Sequence, residues 1–418
     1  RLFVACYETR NTAVIDLASD LVIADLRASS TTSDGFGPRG VAIHGSGNAT
    51  YVYNRGDQRL QVFNTAGLAP GDVRTPVATL PIGYDVESVE LIAGRRHFLN
   101  AANSQSGLAT CNTCHMDGHL DGIAWDLSDT TGNLPNQVVP REPKGTKVTM
   151  SLRGIEETPP FHWRGDRADL AAFNPAFSGL LGGQQLNKAQ MAEFERFVFS
   201  LSYPANPNQN DDRSYSLTAR EGFNCFASHP THDLKKDEVG GVLTATCADC
   251  HSMAGGSGTL NQVNNPVPLT VLADDATQLR GLWDKETDLV VHSNPILPPN
   301  LTILPASGWG FGNTGFALSI QGFVDLGVFN FPPGVKPKVR EFLFEFDTGL
   351  APCTAYAHTI TNTTAPQEAV LTSQAGQNCD VIARGWVRQG GVPKKLGMLW
   401  APDPVTGISR FETDTAGV

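Results

Sequence analysis

Twice in this chain two cysteines are separated by two residues and followed at once by a histidine: Cys111-Asn112-Thr113-Cys114-His115 and Cys247-Ala248-Asp249-Cys250-His251. No other feature limits the fold so tightly. A single turn must present two thiols side by side with an imidazole next to them. That order suits covalent attachment of a porphyrin, in which the thiols bond two vinyl-derived carbons and the imidazole takes one axial position of the iron. A lone Cys-x-x-Cys is also the pattern of a zinc knuckle or a redox dithiol, and the second copy with its own adjacent histidine favours haem. The expected cofactors are two covalent c-type haems, with His115 and His251 as proximal iron ligands.

Four further cysteines remain: Cys6, Cys225, Cys353 and Cys379. Covalent haem is attached after export, so a periplasmic or extracellular location is expected, where cysteines can pair. Cys353 with Cys379 would close a local loop, and the pairing is otherwise open from sequence. Cys225-Phe226-Ala227-Ser228-His229 is the attachment pattern with serine in place of the second cysteine, a relic of the motif whose Cys225 is expected in a disulfide or as a buried free thiol. It lies so close to the Cys247 motif that a third haem on Cys225 and His229 is not expected. The chain opens at Arg1 without a leader pattern, and an exported protein is expected to have lost one.

The 418 residues carry a formal charge of −11, which argues against a nucleic-acid surface, because phosphate binding needs Lys and Arg. No apolar run reaches the roughly 18 residues of a transmembrane helix. The expected partners are a redox protein or a small-molecule oxidant such as peroxide, with a homo-oligomer or larger assembly left open.

Near the start, an offset of 48 residues aligns Phe3-Val4-Ala5-Cys6 with Tyr51-Val52-Tyr53-Asn54, and Ala13-Val14-Ile15-Asp16 with Gln61-Val62-Phe63-Asn64. Several strands recurring at a period of roughly 40–50 residues mark propeller blades. Residues 1–85 resemble the YVTN-type β-propeller family, as the C-terminal part of a longer propeller. Helical patterning follows, clearest at 188–199, where Met191, Phe194 and Val198 share one face. Ser202-Tyr203-Pro204-Ala205-Asn206-Pro207-Asn208 then breaks the helix.

The two motif-bearing halves read as a diverged duplication. Ser151-Leu152-Arg153-Gly154 follows the first motif and Gln278-Leu279-Arg280-Gly281 the second, and each is followed by a histidine, His162 and His292. These two are the candidate distal iron ligands. The expected fold is multidomain: propeller-like blades at 1–85, two mainly α cytochrome c-like domains at 86–205 and 206–352, and a small β-rich segment at 353–418.

From about Gly94 to Pro352 the chain resembles the dihaem cytochrome c peroxidase and MauG superfamily. Ala93-Gly94-Arg95-Arg96-His97-Phe98, Lys147-Val148-Thr149-Met150-Ser151-Leu152-Arg153, Phe161-His162-Trp163-Arg164-Gly165-Asp166-Arg167 and Phe344-Glu345-Phe346-Asp347-Thr348-Gly349-Leu350-Ala351-Pro352 carry the resemblance. It implies two helical haem domains in electronic contact, with Trp163 matching the tryptophan that relays electrons between the haems. The sequence departs from the family at Gly308–Gly315, where Asn313 stands and no histidine occurs. It also lacks any Asp or Glu between Ala171 and Ala192, where peroxidases place a catalytic carboxylate. Asp166, Asp169, Glu156 and Glu157 are the remaining candidates for that acid. The implied function is an exported dihaem oxidoreductase of the peroxidase/MauG type. A non-catalytic electron-transfer cytochrome with bis-histidine haems is the competing reading, and an oxygenase on an apolar substrate a third.

Overall fold

The computed structural model of the chain describes residues 1–28, 36–82, 88–127, 146–229, 234–235, 242–243, 245–251, 256, 274–286, 310–327, 329–357, 379–402 and 409–413. β-Sheets occupy the N-terminal region and helical regions follow. Among the described residues no helix is long and apolar enough to cross a membrane.

Alternating apolar residues build the first strands. β1 (Leu2–Cys6), β2 (Asn11–Asp16) and β3 (Leu21–Arg27) form one antiparallel meander, and β4 (Pro38–Ile43), β5 (Ala49–Asn54) and β6 (Arg59–Asn64) another. The chain then lays β7 (Asp72–Arg74) parallel to β3 before β8 (Ala78–Pro81) pairs with β6. Two four-stranded sheets result, ordered β1-β2-β3-β7 and β4-β5-β6-β8, and among the described residues they do not close into a ring. The runs matched at an offset of 48 are β1 with β5 and β2 with β6. Val14, Ile23, Ala24, Leu26, Val52 and Phe63 of the two sheets pack with Leu68 in one apolar cluster.

The helical part contains β9 (Ala124–Trp125), β10 (Lys147–Val148) and a short pair, β11 (Leu234–Lys235) with β12 (Val242–Leu243). Its helices are α1 (Val89–Leu99), α2 (Cys111–Cys114), α3 (Pro175–Gly179) and α4 (Lys188–Phe199) in the first half. In the second they are α5 (Leu217–Ser228), α6 (Cys247–Cys250), α7 (Leu282–Lys285), α8 (Ile320–Val324) and α9 (Lys336–Phe344). α4 is the amphipathic helix expected: Asn187 and Gln190 form its capping box, and Met191, Phe194, Phe197 and Val198 are buried.

One helix crossing is built twice. α1 packs on α4 and α5 on α9, each with a glycine at the contact. A Cβ on Gly94 would lie 2.0 Å from the Glu193 carbonyl oxygen, and one on Gly222 would lie 1.9 Å from that of Lys338. One turn further on, Phe98 meets Phe197 at 5.5 Å between ring centroids and Phe226 meets Phe342 at 5.1 Å. Gly-x-x-x-Phe is therefore the shared pattern of α1 and α5. The Cys225–His229 run lies at the end of this second glycine-bearing helix, with Cys225 as a buried free thiol. The run ends α5, with the His229 N–H still bonded to the Cys225 carbonyl, and Cys225 packs with Phe226 and Phe342 in the apolar core of the second half.

β13 (Ile382–Gln389), β14 (Val392–Pro402) and β15 (Ser409–Thr413) form an antiparallel sheet near the C-terminal end, and Cys353 is disulfide-bonded to Cys379 ahead of it.

Candidate functional site

Both Cys-x-x-Cys segments fold as one helical turn entered through a threonine, Thr110 or Thr246. The N–H of the following histidine returns to the carbonyl of the first cysteine, at 2.9 Å for His115 and 2.8 Å for His251. Each imidazole is then oriented by backbone. His115 Nδ1 lies 2.8 Å from the Met150 carbonyl, and His251 Nδ1 lies 2.7 Å from the Gly256 carbonyl and 3.0 Å from that of Thr277. A carbonyl can only accept, so Nδ1 carries the proton and Nε2 keeps its lone pair. Burial pushes the pKa of both histidines down and favours the neutral, ligand-ready ring. Met150 and Thr277 each stand three residues before the arginine of the repeated Leu-Arg-Gly. The duplicated segment thus supplies a carbonyl that orients the histidine of each motif.

The donor chemistry fits haem better than zinc or a redox dithiol. Burial pushes the Cys111 thiol up to about 12 and the Cys114 thiol up to about 11, away from the thiolate a redox dithiol requires. Among the described residues no three His, Cys, Asp or Glu side chains gather as a metal site, so the thiols and the imidazole of a motif do not converge on one ion. Cys111 borders the apolar cluster of the first half and Cys247 lies within that of the second.

The halves meet through repeated loops. Phe161 and Arg167 exchange backbone hydrogen bonds of 2.7 and 3.3 Å, and Phe311 and Ala317 exchange bonds of 2.7 and 3.2 Å. Inside these matched loops His162 (φ 78°) occupies the place of Gly312 (φ 81°), and Trp163 that of Asn313. The Trp163 carbonyl accepts the Asp275 N–H at 2.7 Å, and the Asn313 carbonyl accepts the Val148 N–H at 2.8 Å. Val148 and Asp275 are equivalent in the Leu-Arg-Gly frame, so each half's loop grips the matching extended segment of the other half in an approximate two-fold arrangement. The neighbouring equivalents, Lys147 and Asp274, form a buried ion pair at 2.6 Å, and the Asn313 amide donates to the same carboxylate. Trp163 is almost fully buried, with Nε1–H donating to the Val148 carbonyl at 2.8 Å. Gln278 donates to the Arg153 carbonyl at 2.9 Å, and Arg280 reaches the Gly154 carbonyl at 3.1 Å and Glu157 at 2.7 Å. His119 joins Ser151 at 2.8 Å to Asp284 at 3.2 Å across the same seam.

The other residues singled out in the sequence are distributed as follows. His162 Nδ1 is 2.7 Å from Asp166, whose second oxygen takes Arg167 at 2.7 Å. Burial opposes ionisation of Asp166, but the His162 hydrogen bond and both positive neighbours outweigh it and hold the carboxyl at about 2. Asp169 caps the Ala172 N–H at 2.9 Å, Glu157 is taken by Arg280, and Glu156 lines an open groove with Ser88, Leu91 and Glu195. His292 lies outside the described residues. Sequence reasoning missed the Met150 and Thr277 carbonyls, which leave no side-chain signal, and the Lys147–Asp274 pair. Aligning the two Leu-Arg-Gly copies outward at fixed offset would have matched Lys147 to Asp274.

No family model matches the chain, and no curated protein matches it. Among solved structures it is similar to a chain of hydrazine synthase from Kuenenia stuttgartiensis, solved under xenon pressure. The two are 16% identical with a TM-score of 0.43, and the match covers 63% of this chain and 88% of that one.

Proposed function

We propose that the chain is an exported dihaem c-type cytochrome oxidoreductase of the peroxidase/MauG kind, moving electrons between its two haems and an external oxidant or donor. Cys111, Cys114 and His115 hold one haem, and Cys247, Cys250 and His251 the other. When bound, the haems supply one-electron chemistry at iron. The chain fixes their separation and insulates the route between them.

The observation that carries this reading is a hydrogen-bonded path between the two proximal histidines. His115 donates to the Met150 carbonyl; two residues back, the Val148 carbonyl accepts from Trp163 Nε1; the Trp163 carbonyl accepts from Asp275; and two residues on, the Thr277 carbonyl takes His251. Val148, Thr149, Trp163 and Asp275 are all buried, which keeps water from screening the route. Trp163 contributes its indole to the path and is the inter-haem relay in this reading. The domains proposed are 1–85, 86–205, 206–352 and 353–418, with the two N-terminal sheets as propeller blades. The Cys353–Cys379 disulfide supports an oxidising compartment, and the charge of −11 supports a protein or small-molecule partner over nucleic acid.

EPR of the oxidised protein with a peroxide-turnover assay tests the proposal. It expects a high-spin ferric haem and rapid peroxide consumption, with Trp163→Phe slowing electron equilibration between the haems by about tenfold or more, for a path change worth roughly 1.4 kcal/mol in the barrier. Two low-spin haems that bind neither cyanide nor peroxide would contradict it. That outcome belongs to the second reading, a bis-histidine electron-transfer cytochrome with His162 and His292 as distal ligands. His162 itself favours this alternative: it sits in left-handed backbone where the repeat has glycine, and a carboxylate orients its ring as metal-bound imidazoles are oriented.

A further inference from the structure

The second attachment turn contains its own acid. Asp249 Oδ2 accepts the Thr246 N–H at 2.7 Å and the Thr246 hydroxyl at 3.0 Å. In the first turn Thr113 stands at that place; its hydroxyl accepts the Thr110 N–H at 2.9 Å but brings no charge. A carboxylate reaches the turn nonetheless. Glu8, in the connection between β1 and β2, accepts the Thr110 hydroxyl at 2.7 Å, the Thr113 hydroxyl at 2.8 Å and the Asn112 amide at 2.9 Å. A second tie lies nearby, where Arg39 of β4 forks onto Asp117 at 3.2 and 3.3 Å, two residues past His115.

We propose that Glu8 is the capping carboxylate of the first attachment turn, delivered by the β-sheet region, so that this region positions the first haem and tunes its potential. The inference rests on the dihaem reading above. A carboxylate holding three donors fixes the turn more firmly than neutral hydrogen bonds, because charge-assisted bonds are about twice as strong. A fixed negative charge beside a redox centre also favours its oxidised, more positive state and lowers its potential. In the second half the same charge is written into the motif. In the first it is imported, which makes the β region part of that haem's environment.

The test uses the full, haem-loaded chain, with haem on each motif read by peptide mass and the midpoint of each haem read by spectroelectrochemical titration. Glu8→Gln keeps the side chain's size and removes the charge; it is expected to retain both haems, to raise the first midpoint and to leave the second where it was. Glu8→Ala is expected to lower occupancy at Cys111/Cys114 while Cys247/Cys250 stay loaded, and Thr113→Asp added to it, copying the second motif, should restore occupancy and midpoint. An unchanged first midpoint in Glu8→Gln, or a Glu8→Ala loss that Thr113→Asp fails to restore, overturns the proposal. Wild-type protein without haem at Cys111/Cys114 overturns the dihaem reading itself, and mass distinguishes that outcome before any variant is made.

Discussion

Gly94 and Gly222 stand where helix backbones touch, and a methyl group at either would meet a carbonyl oxygen at about half the normal contact distance. Gly94→Ala and Gly222→Ala should each destabilise the half that contains them by about 1–3 kcal/mol, because a packed crossing cannot widen without losing its Phe–Phe contacts. Denaturant unfolding measures this, with Gly45→Ala as a control; a Cβ at Gly45 meets nothing within 4 Å, and the change should stay within about 0.5 kcal/mol. At the same scale, Trp163→Phe leaves the buried Val148 carbonyl without its indole donor and should cost about 1–3 kcal/mol. The two Cys-x-x-Cys-His turns were legible because their information is local: Thr, Cys, Cys and His lie within one turn. The carbonyls of Met150 and Thr277 were not, since every residue has one and only tertiary structure says which carbonyl faces an imidazole.

Whole elements were legible where periodicity was strong. α4 runs over the residues whose apolar spacing marks them as one helical face, and the strands matched at an offset of 48 are paired strands in both sheets. The duplication was read from Leu-Arg-Gly, but its later correspondence was obscured by the longer stretch between Arg280 and Phe311. Taking the first histidine after each arginine pairs His162, nine residues on, with His292, twelve residues on, whereas the matching loops place Gly312 opposite His162. Loop length varies freely, while the backbone shape at φ near 80° is retained. The seam between halves also makes a quantitative prediction. Lys147→Met strands the Asp274 carboxylate in a buried site and should destabilise by about 3–5 kcal/mol, whereas Lys147→Met with Asp274→Leu should recover most of that loss. Equal losses in the single and double variants, measured by urea titration, would mean the pair is not what couples these segments.

At the scale of the whole molecule, the order of β-sheets before helical regions could be read in advance because composition and periodicity change together near residue 86. The attachment of the sheets to the first motif could not, because Glu8 and Thr110 are 102 residues apart and neither carries a mark of the other. The Cys353–Cys379 bond has a sequence separation of 26 residues, and its removal through Cys353→Ser and Cys379→Ser should cost about 3 kcal/mol of the stability of the C-terminal sheet it ties to the chain. Hydrogen exchange would show this as earlier loss of amide protection in β13–β15, with α1 and α4 unaffected. The proposed function depends on the two halves forming one dihaem unit, and the intact mass of the protein matured in an exporting host tests that proposal most directly. The expected mass is that of the chain plus two haems, falling by one haem when Cys111 and Cys114, or Cys247 and Cys250, are replaced by alanine. A mass of the bare chain, or of a chain whose haem count survives loss of either cysteine pair, would contradict the account.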